Sequence, residues 1–240
     1  MTFVSSSLGS NAFDAVMTEP PFPLNERMGQ NGSAMSRVTH WDTVYTTKQP
    51  DRVSWFQPHL GLSLELLERV GLRRETRIID IGAGASTLVD DLLARDVQAV
   101  TAVDISVAAL QVTRDRLGER ADRVRWIVSD VTQLTLPQSS IDIWHDRATL
   151  HFLTTPADAQ DYVRVASHVI APGGHAVIGG FASDGPDQCS LLPVVRRDPE
   201  QVAELFAEEF DLVEARRETH TTPGGSPQKF AYALLRKRSR

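Results

Sequence analysis

The stretch Asp80-Ile81-Gly82-Ala83-Gly84-Ala85-Ser86 joins a short β-branched run to a segment with the apolar spacing of a helix. Its glycines permit a tight turn and let a ligand approach the backbone, and the start of the following helix supplies unpaired N–H groups. Ser86 is of a residue type that caps such a helix. The stretch therefore predicts a strand–turn–helix unit that binds a ligand at its turn.

Strand-like and helix-like segments alternate outward from this turn. Strands are predicted over 77–81, 99–104, 124–128, 141–144 and 175–179, and helices over 62–70, 86–95, 107–117, 157–170 and 199–208. Such alternation predicts a parallel sheet with helices on both faces. The last two strands, 211–217 and 229–235, have only a loop between them and should pair antiparallel. The fold class is thus α/β, with a single doubly wound, seven-stranded, mostly parallel sheet and an antiparallel final strand pair.

The 240 residues, 41% of them hydrophobic, suffice for one substantial core. Residues 1–36 are rich in Ser, Asn, Gly and Pro without a lasting period, which predicts a mobile N-terminal extension. The folded domain is predicted over 37–236, followed by a solvated basic tail over 237–240.

Composition and charge narrow the classes of partner. The net charge of −6 offers no basic surface for a nucleic-acid backbone. The single cysteine, Cys189, makes a disulfide within the chain impossible, so a reducing cytoplasm is the default compartment. No apolar run approaches a membrane span, the start lacks a signal peptide, and no ligand spacing suggests a metal. We expect a cytoplasmic protein without nucleic-acid or membrane partners, and the oligomeric state stays open.

Three acidic residues follow or end predicted strands. Asp104 stands at the tip of the second strand, where a carboxylate accepts both hydroxyls of an adenosine ribose. Asp80 lies two residues before the first glycine, where it suits an amino-acid head group and a sulfonium better than a pyrophosphate. Asp130 follows the third strand and can take the exocyclic amine of adenine, while Val131 covers the ring. Thr87 replaces the third glycine of the dinucleotide motif, so S-adenosylmethionine is favoured over NAD as the cofactor.

The motifs come as an ordered set. They are Asp80-Ile81-Gly82-Ala83-Gly84, Val103-Asp104-Ile105-Ser106, Ser129-Asp130-Val131 and Pro172-Gly173-Gly174. Together with the antiparallel final pair, the set resembles the motifs of class I S-adenosylmethionine-dependent methyltransferases over residues 38–236. The resemblance implies a Rossmann-like methyltransferase fold and S-adenosyl-L-methionine as cofactor. The residues it places at the cofactor are Asp80, Gly82, Ala83, Gly84, Asp104, Ile105, Asp130 and Val131.

A second resemblance concerns the segments before and after this core. His40-Trp41-Asp42-x-x-Tyr45, Ser54-Trp55-Phe56 and Trp144-His145-Asp146-Arg147-Ala148-Thr149-Leu150 resemble segments of bacterial small methyltransferases. More distantly, the third segment is similar to the W-D-R-G-A-L segment of thiopurine and thiol methyltransferases, with His145 in place of Trp and Ala148 in place of Gly. Lysine methyltransferases acting on elongation factors carry a related D-K-G-T segment, so the substrate class is not selected.

The aromatic residues Trp41, Tyr45 and Trp55 lie in a polar stretch outside any periodic core pattern. They are predicted to cover the cofactor, with aromatic faces that stabilise its sulfonium by cation–π interaction. The alternative is simple packing of a leading helix on the sheet.

The catalytic candidates are four residues that follow the fourth predicted strand. His145 is expected beside the cofactor and its transferable methyl, and Asp146 and Arg147 are expected to orient the acceptor. Alternatively, Asp146 and Arg147 form a structural pair that caps the next segment. His151 has the residue type of a general base at neutral pH, although a structural histidine is an equal alternative. Cys189 lies in a long predicted covering loop, and a nucleophilic cysteine is not needed for direct displacement from a sulfonium.

The resulting functional hypothesis is in-line methyl transfer from S-adenosylmethionine to a small-molecule acceptor with a sulfur, nitrogen or oxygen nucleophile. A protein lysine methyltransferase is the first alternative. A non-catalytic S-adenosylmethionine-binding regulator is the second.

Overall fold

A seven-stranded sheet forms the centre of the computed structural model, which describes residues 37–239. Its strands are β1 (Arg77–Ile81), β2 (Ala99–Asp104), β3 (Val124–Val128), β4 (Ile141–Arg147), β5 (Ile170–Phe181), β8 (Phe210–Thr221) and β9 (Pro227–Lys237); a small separate hairpin comprises β6 (Gln188–Cys189) and β7 (Leu192–Pro193). The order across the large sheet is β3-β2-β1-β4-β5-β9-β8. Strands β1 to β5 run parallel, while β9 is antiparallel to both of its neighbours. The predicted fold class is confirmed.

The helices are α1 (Arg37–Thr47), α2 (Gly61–Arg69), α3 (Leu88–Ala94), α4 (Val107–Leu117), α5 (Pro156–Val169) and α6 (Pro199–Leu205). They cover both faces of the sheet. Successive side chains of a strand point to opposite faces, so each buried strand contributes apolar side chains to a core on either side. In β1, Ile78 joins a core cluster that includes Leu66 and Leu92 from α2 and α3. Its neighbour Ile79 joins the opposite cluster, which includes Tyr162 of α5. Within the described residues, no helix is long and apolar enough to cross a membrane.

Strand β1 marks the point where the order of the sheet reverses. It pairs with β2 on one side and with β4 on the other, with Asp80 opposite His145 and Ile81 opposite Val103. In open α/β sheets such a switch leaves a crevice outside the carboxyl ends of the strands. The candidate residues at the ends of β1, β2 and β4 therefore meet at one edge.

Two elements were not predicted from the sequence. Helix α1 buries only Val44 and has a weak apolar pattern, which gives little periodicity to detect. The hairpin of β6 and β7 is only two residues long on each side and lies inside the predicted loop. Each element contributes a side chain to the wall of the cavity at this edge of the sheet: Trp41 from α1 and Cys189 from the hairpin.

The end of the chain differs from the predicted solvated tail over 237–240. Strand β9 continues to Lys237, which is buried and donates from Nζ to the carbonyl oxygens of Ser167 and Ile170. These carbonyls lie at the end of α5, where helical carbonyls lack partners within the helix. Arg238 forms an ion pair with Asp211. The first part of the tail thus completes the domain, and the extension predicted over 1–36 lies outside the described residues.

Candidate functional site

A cavity opens at the carboxyl ends of β1, β2 and β4 and encloses about 800 Å³ of space, part of which is open solvent. Its wall includes most of the predicted cofactor residues: Trp41, Tyr45, Trp55, Gly82, Asp104, Ile105, Asp130 and Val131. A smaller cavity of about 480 Å³ lies beside it and is lined by Asp80, Ala83 and His145. Tyr45, Trp55, Gly82 and Arg147 line both cavities, which therefore adjoin each other.

The glycine turn after β1 accepts no side chain at either glycine. Gly82 and Gly84 have φ angles of 63° and 46°, in the left-handed region that favours glycine. A Cβ atom at Gly82 would clash with Oγ1 of Thr149, and one at Gly84 would clash with the hydroxyl of Tyr45. The N–H of Ala83 donates to the carbonyl of Val103 over 2.9 Å. The turn is thereby fixed against β2, and its Gly82 lies on the wall of both cavities.

Asp104 ends β2 at the cavity wall. Its Oδ2 accepts from the N–H of Gly84 over 2.9 Å, and its Oδ1 accepts from the N–H of Ser106 over 2.8 Å. The carboxyl is nearly buried, and this burial raises its pKa to about 6, against the opposing effect of the two N–H donors. Asp104 is thus a carboxylate held in one orientation with room for further donors in the cavity.

Asp130 and Val131 form the wall at the end of β3. Asp130 Oδ1 accepts from both the N–H and the hydroxyl of Thr132, over 2.9 and 2.8 Å. Its Oδ2 lies 3.6 Å from Nη2 of Arg37. Val131 is 6% exposed and faces the same cavity. An acidic oxygen and an apolar side chain therefore lie side by side on the wall, and their contact with adenine stays a prediction.

Helix α1 covers the cavity with aromatic side chains. The ring of Trp41 lies 5.9 Å from that of Trp55 and 5.0 Å from that of Phe152, and Tyr45 lies 6.4 Å from Trp55, measured between ring centroids. The sequence did not single out Phe152, because only the turn after β4 places it on the cavity wall. The aromatic residues line the cavity together, which fits the predicted covering role better than packing of a remote helix.

Asp42 attaches this cover to the rest of the domain. Its Oδ1 accepts from the hydroxyl of Ser106 over 2.6 Å. The same hydroxyl oxygen accepts from the N–H of Ala109 and so caps α4. A single buried serine therefore both begins α4 and holds α1 over the cavity.

His145 lies behind the glycine turn in a buried chain of polar groups. Its Nδ1 is 2.7 Å from Oδ1 of Asp80, and its Nε2 is 2.9 Å from Oγ of Ser63. His145 is fully buried and lines only the smaller cavity. The second oxygen of Asp80, Oδ2, is buried and has no partner among the described residues. Instead of lining the main cavity, His145 fixes the orientation of Asp80, whose free oxygen suits a donor of the ligand.

Asp146 has a structural role that contradicts the predicted acceptor-orienting one. It is fully buried and does not line either cavity. Its two oxygens accept from the N–H groups of Thr149 and Leu150 and from the hydroxyl of Tyr162, over 2.7, 3.0 and 2.6 Å. These bonds cap the turn after β4, so for Asp146 the alternative of a capping residue holds.

Arg147 enters both cavities from the end of β4. Its Nε donates to the hydroxyl of Tyr232 over 3.1 Å, and its Nη1 donates to the carbonyl of Trp55 over 3.0 Å. The guanidinium carbon lies 4.4 Å from the ring centroid of Phe230, a cation–π distance. Nη2 is buried and has no hydrogen-bond partner within residues 37–239. The arginine is therefore held firmly while one of its donors stays free.

His151 and Cys189 are both unsuited to the chemistry of a base or nucleophile. Neither nitrogen of the His151 ring has a partner in the described part of the chain. Burial, followed by the charges of Arg147 and Arg197, lowers its pKa to about 3. A base with so low a pKa accepts a proton poorly at pH 7, which contradicts the predicted general-base role. Cys189 lines the main cavity, but burial raises its pKa to about 12, so its thiol stays protonated.

The sheet order, the glycine turn and the carboxylate at the end of β2 agree with the class I methyltransferase fold that the sequence motifs resemble. In agreement, residues 78–174 match the family model described as "Methyltransferase domain". Residues 78–174 thus form a methyltransferase domain of the class I type, and S-adenosylmethionine is the cofactor of this class. No group of three or more metal-binding side chains occurs within the described residues.

Curated relatives match the core of the chain. The eEF1A lysine and N-terminal methyltransferase of Bos taurus is 22% identical over 143 residues, which is 60% of this chain and 20% of that protein. The ribosomal protein L11 methyltransferase of Photobacterium profundum is 31% identical over 150 residues, which is 59% of this chain and 48% of that protein. The chain thus spans less than half of the length of these curated relatives.

Solved structures resemble a larger part of the chain. The 1,6-didemethyltoxoflavin-N1-methyltransferase of Burkholderia thailandensis is 26% identical, with a TM-score of 0.58 and 81% of each chain covered. The N-methyltransferase NodS of Bradyrhizobium japonicum, solved with S-adenosyl-L-homocysteine, is 17% identical with a TM-score of 0.64. It covers 83% of this chain and 97% of its own. This second likeness shows the fold.

Proposed function

We propose that the chain transfers the methyl group of S-adenosylmethionine to a small-molecule acceptor by direct in-line displacement. The observation that carries this proposal is the aromatic cover of the main cavity. Trp41 of α1, Trp55 and Phe152 meet over the cavity at ring distances of 5.0 to 5.9 Å. Such a covered chamber encloses a small ring-shaped or apolar molecule, whereas a polypeptide segment requires an open groove.

The residues of the two cavities would hold the cofactor along its length. Asp104 would accept hydrogen bonds from the ribose hydroxyls, and Asp130 and Val131 would hold the adenine. Gly82, which lines both cavities and has no Cβ atom, would allow close approach of the amino-acid end, and the unpartnered Oδ2 of Asp80 would accept from its ammonium group. When bound, the cofactor supplies a methyl group that is already activated by a sulfonium.

The protein's own contribution is alignment and exclusion of water. Trp41, Tyr45 and Trp55 would surround the sulfonium and stabilise its charge through their ring faces. Arg147 would contact the acceptor from the opposite wall through its free Nη2. The neutral thiol of Cys189 adds bulk to this wall but no nucleophile.

A protein lysine acceptor is the second candidate, since curated relatives are named as protein methyltransferases. The charge of the site disfavours it. Asp104 and Asp130 are the carboxylates of the main cavity wall within the described residues, and both belong to the adenosine end. A lysine ammonium would instead face the guanidinium of Arg147, which repels it.

The deciding experiment uses cofactor with a radiolabelled methyl group and a cell lysate divided by filtration into small molecules and proteins. Label in the small-molecule fraction is expected with the purified enzyme, and Asp104→Asn is the matched control with weakened cofactor binding. Label confined to polypeptides would favour the lysine alternative. Cofactor binding without formation of S-adenosylhomocysteine in either fraction would favour the non-catalytic regulator.

A further inference from the structure

Arg147 is a cation without a matching anion in direct contact. Within residues 37–239, no carboxylate oxygen lies within 4.0 Å of its guanidinium nitrogens, in contrast to twelve other arginines, which form ion pairs. Its fixed partners, the Tyr232 hydroxyl and the Trp55 carbonyl, are neutral groups. A half-buried guanidinium with a free donor is a recognition group for an anionic oxygen, sulfur or nitrogen.

Other cations add to the positive potential on this side of the cavity. The charge of Arg147 acts on both His151 and Cys189, while Arg197 acts on His151 and Lys48 acts on Cys189. Arg197 itself has a buried Nη1 without a partner in the described part of the chain. The part of the cavity wall formed by Arg147 and Cys189 is therefore electropositive.

The same wall supplies no general base. Burial raises the pKa of Tyr45 well above its usual value and that of Cys189 to about 12, so both are protonated at neutral pH. His151 lies off the cavity and is a weak base, and Asp146 is occupied by three donors. Asp104 and Asp130 lie at the adenosine end. An acceptor that must be deprotonated before methyl transfer therefore has no general base available among these side chains.

We propose that the acceptor is an acidic aromatic molecule that binds as its anion, with the free Nη2–H of Arg147 donating to its charged atom. The rings of Trp41, Trp55 and Phe152 would enclose its ring. This inference rests on the proposed function and names the acceptor class for the same site: ionised phenols, thiophenols or acidic heterocycles.

The chemical step balances without a protein base. The acceptor gives its proton to solvent when it binds, because the guanidinium stabilises the anion. A lone pair of the anion then forms the new bond to the methyl carbon, the bond between that carbon and sulfur breaks, and its electron pair stays on sulfur. The products are the neutral methylated acceptor and S-adenosylhomocysteine.

The test measures the charge state of a bound probe, without any turnover. 4-Nitrophenol, whose absorbance changes on ionisation, is titrated with pH in the presence of the enzyme saturated with S-adenosylhomocysteine. An opposite charge in contact lowers the pKa of an acid by about 1 unit or more. We expect such a decrease in the wild-type protein, its loss in Arg147→Met and its partial retention in Arg147→Lys.

Arg197→Met is the matched control, because it removes a cation of the same region that does not line the cavity; it should keep most of the decrease. Calorimetry with S-adenosylhomocysteine verifies that each variant is folded and binds cofactor. The proposal is overturned if the probe fails to bind to the wild type, binds as the neutral phenol, or ionises equally in the wild type and Arg147→Met. Since no product is measured, these outcomes are independent of the lysate experiment.

Discussion

Asp104 shows how one carboxylate serves both the fold and the ligand. The N–H groups of Gly84 and Ser106 hold its two oxygens in place across the glycine turn. Burial raises its pKa to about 6, so the carboxyl takes up a proton in mildly acidic solution. A protonated carboxyl is a much poorer acceptor for two hydroxyl donors than a carboxylate.

The affinity for S-adenosylhomocysteine should therefore depend on pH through Asp104. Because the ionised form is the better acceptor, we expect binding to weaken as the pH falls through about 6. Asp104→Asn should lower the affinity at pH 8 by about 1.5 to 3 kcal/mol, the contribution of a hydrogen bond to a charged group. Calorimetry between pH 5 and pH 8 checks both statements. A variant that keeps the pH dependence of the wild type would contradict the assignment.

His145 allows a second prediction at this scale, about the orientation of Asp80. Leaving a buried polar group without its hydrogen-bond partner costs about 1 to 3 kcal/mol, so His145→Leu should destabilise the fold and release Asp80. His145→Asn places an amide nitrogen near the position of Nδ1 and should keep the bond to Asp80 while losing the one to Ser63. In His145→Gln the longer side chain places its amide near the position of Nε2, so it should keep the bond to Ser63 and lose the bond to Asp80. We therefore expect His145→Asn to bind S-adenosylhomocysteine much better than His145→Gln.

The control ligand for these variants is 5′-methylthioadenosine, which lacks the amino-acid part of the cofactor. Its affinity should be similar in the wild type, His145→Asn and His145→Gln, since Asp80 would contact only that missing part. An equal loss for both ligands in His145→Gln would show that His145 supports the cavity as a whole.

At the scale of elements, α1 depends on contacts outside itself. It buries one side chain, Val44, and its apolar pattern is weak, so little of its stability comes from its own sequence. The hydrogen bond from Ser106 to Asp42 and the aromatic contacts of Trp41 hold it in place. Closure of the cavity is therefore tied to a few interactions that single substitutions can remove.

Two substitutions separate the attachment of α1 from the capping of α4. Asp42→Ala removes only the attachment, because the cap from the Ser106 hydroxyl to the N–H of Ala109 remains. We expect faster release of S-adenosylhomocysteine, measured by stopped-flow tryptophan fluorescence, and a stability loss of about 1 kcal/mol or less. Ser106→Ala removes both contacts and should cost about 1 kcal/mol more, the usual contribution of an N-cap. Unchanged release from Asp42→Ala would exclude α1 as the cover.

The sequence predicts those elements whose apolar period is strong. The strands and helices from α2 to β5, and the antiparallel final pair, follow from alternation and from glycine and proline boundaries. Helix α1 and the hairpin of β6 and β7 do not, because their positions depend on contacts with distant residues such as Ser106. The boundary at Lys237 was missed for the same reason, since its partners lie at the end of α5.

At the scale of the whole molecule, the site combines segments that lie far apart in the chain. The meeting of Asp80, Gly82, Asp104 and Asp130 was predictable, because each lies at or just after the end of a strand and these ends share one edge of the sheet. Partners such as Ser63 for His145 and Tyr232 for Arg147 were not, since only the folded sheet brings α2 and β9 to β4. Burial also reversed the expected chemistry of His151 and Asp146, which no motif reveals.

The final strand pair thus has a functional consequence as well as a structural one. Strand β9 supplies Phe230 beneath the guanidinium of Arg147 and the hydroxyl of Tyr232 beside it, and Glu218 of β8 accepts from that hydroxyl over 3.2 Å. The antiparallel pair therefore orients the arginine that we assign to the acceptor, while β1 to β3 position the cofactor residues. In the proposed function, binding of the cofactor and choice of the acceptor are thus divided between the two halves of the sheet.

The N-terminal boundary of the working domain gives the last prediction. Residues 1–34 show no apolar periodicity, whereas α1 begins at Arg37 and contributes Trp41, Asp42 and Tyr45 to the cavity and its attachment. Deletion of residues 1–34 should leave the melting temperature and turnover nearly unchanged. Deletion of residues 1–47 should abolish turnover, because it removes the aromatic cover and exposes the cavity to water. Thermal denaturation and methyl-transfer assays on both truncated proteins test this, and equal losses from the two deletions would place the boundary before residue 34.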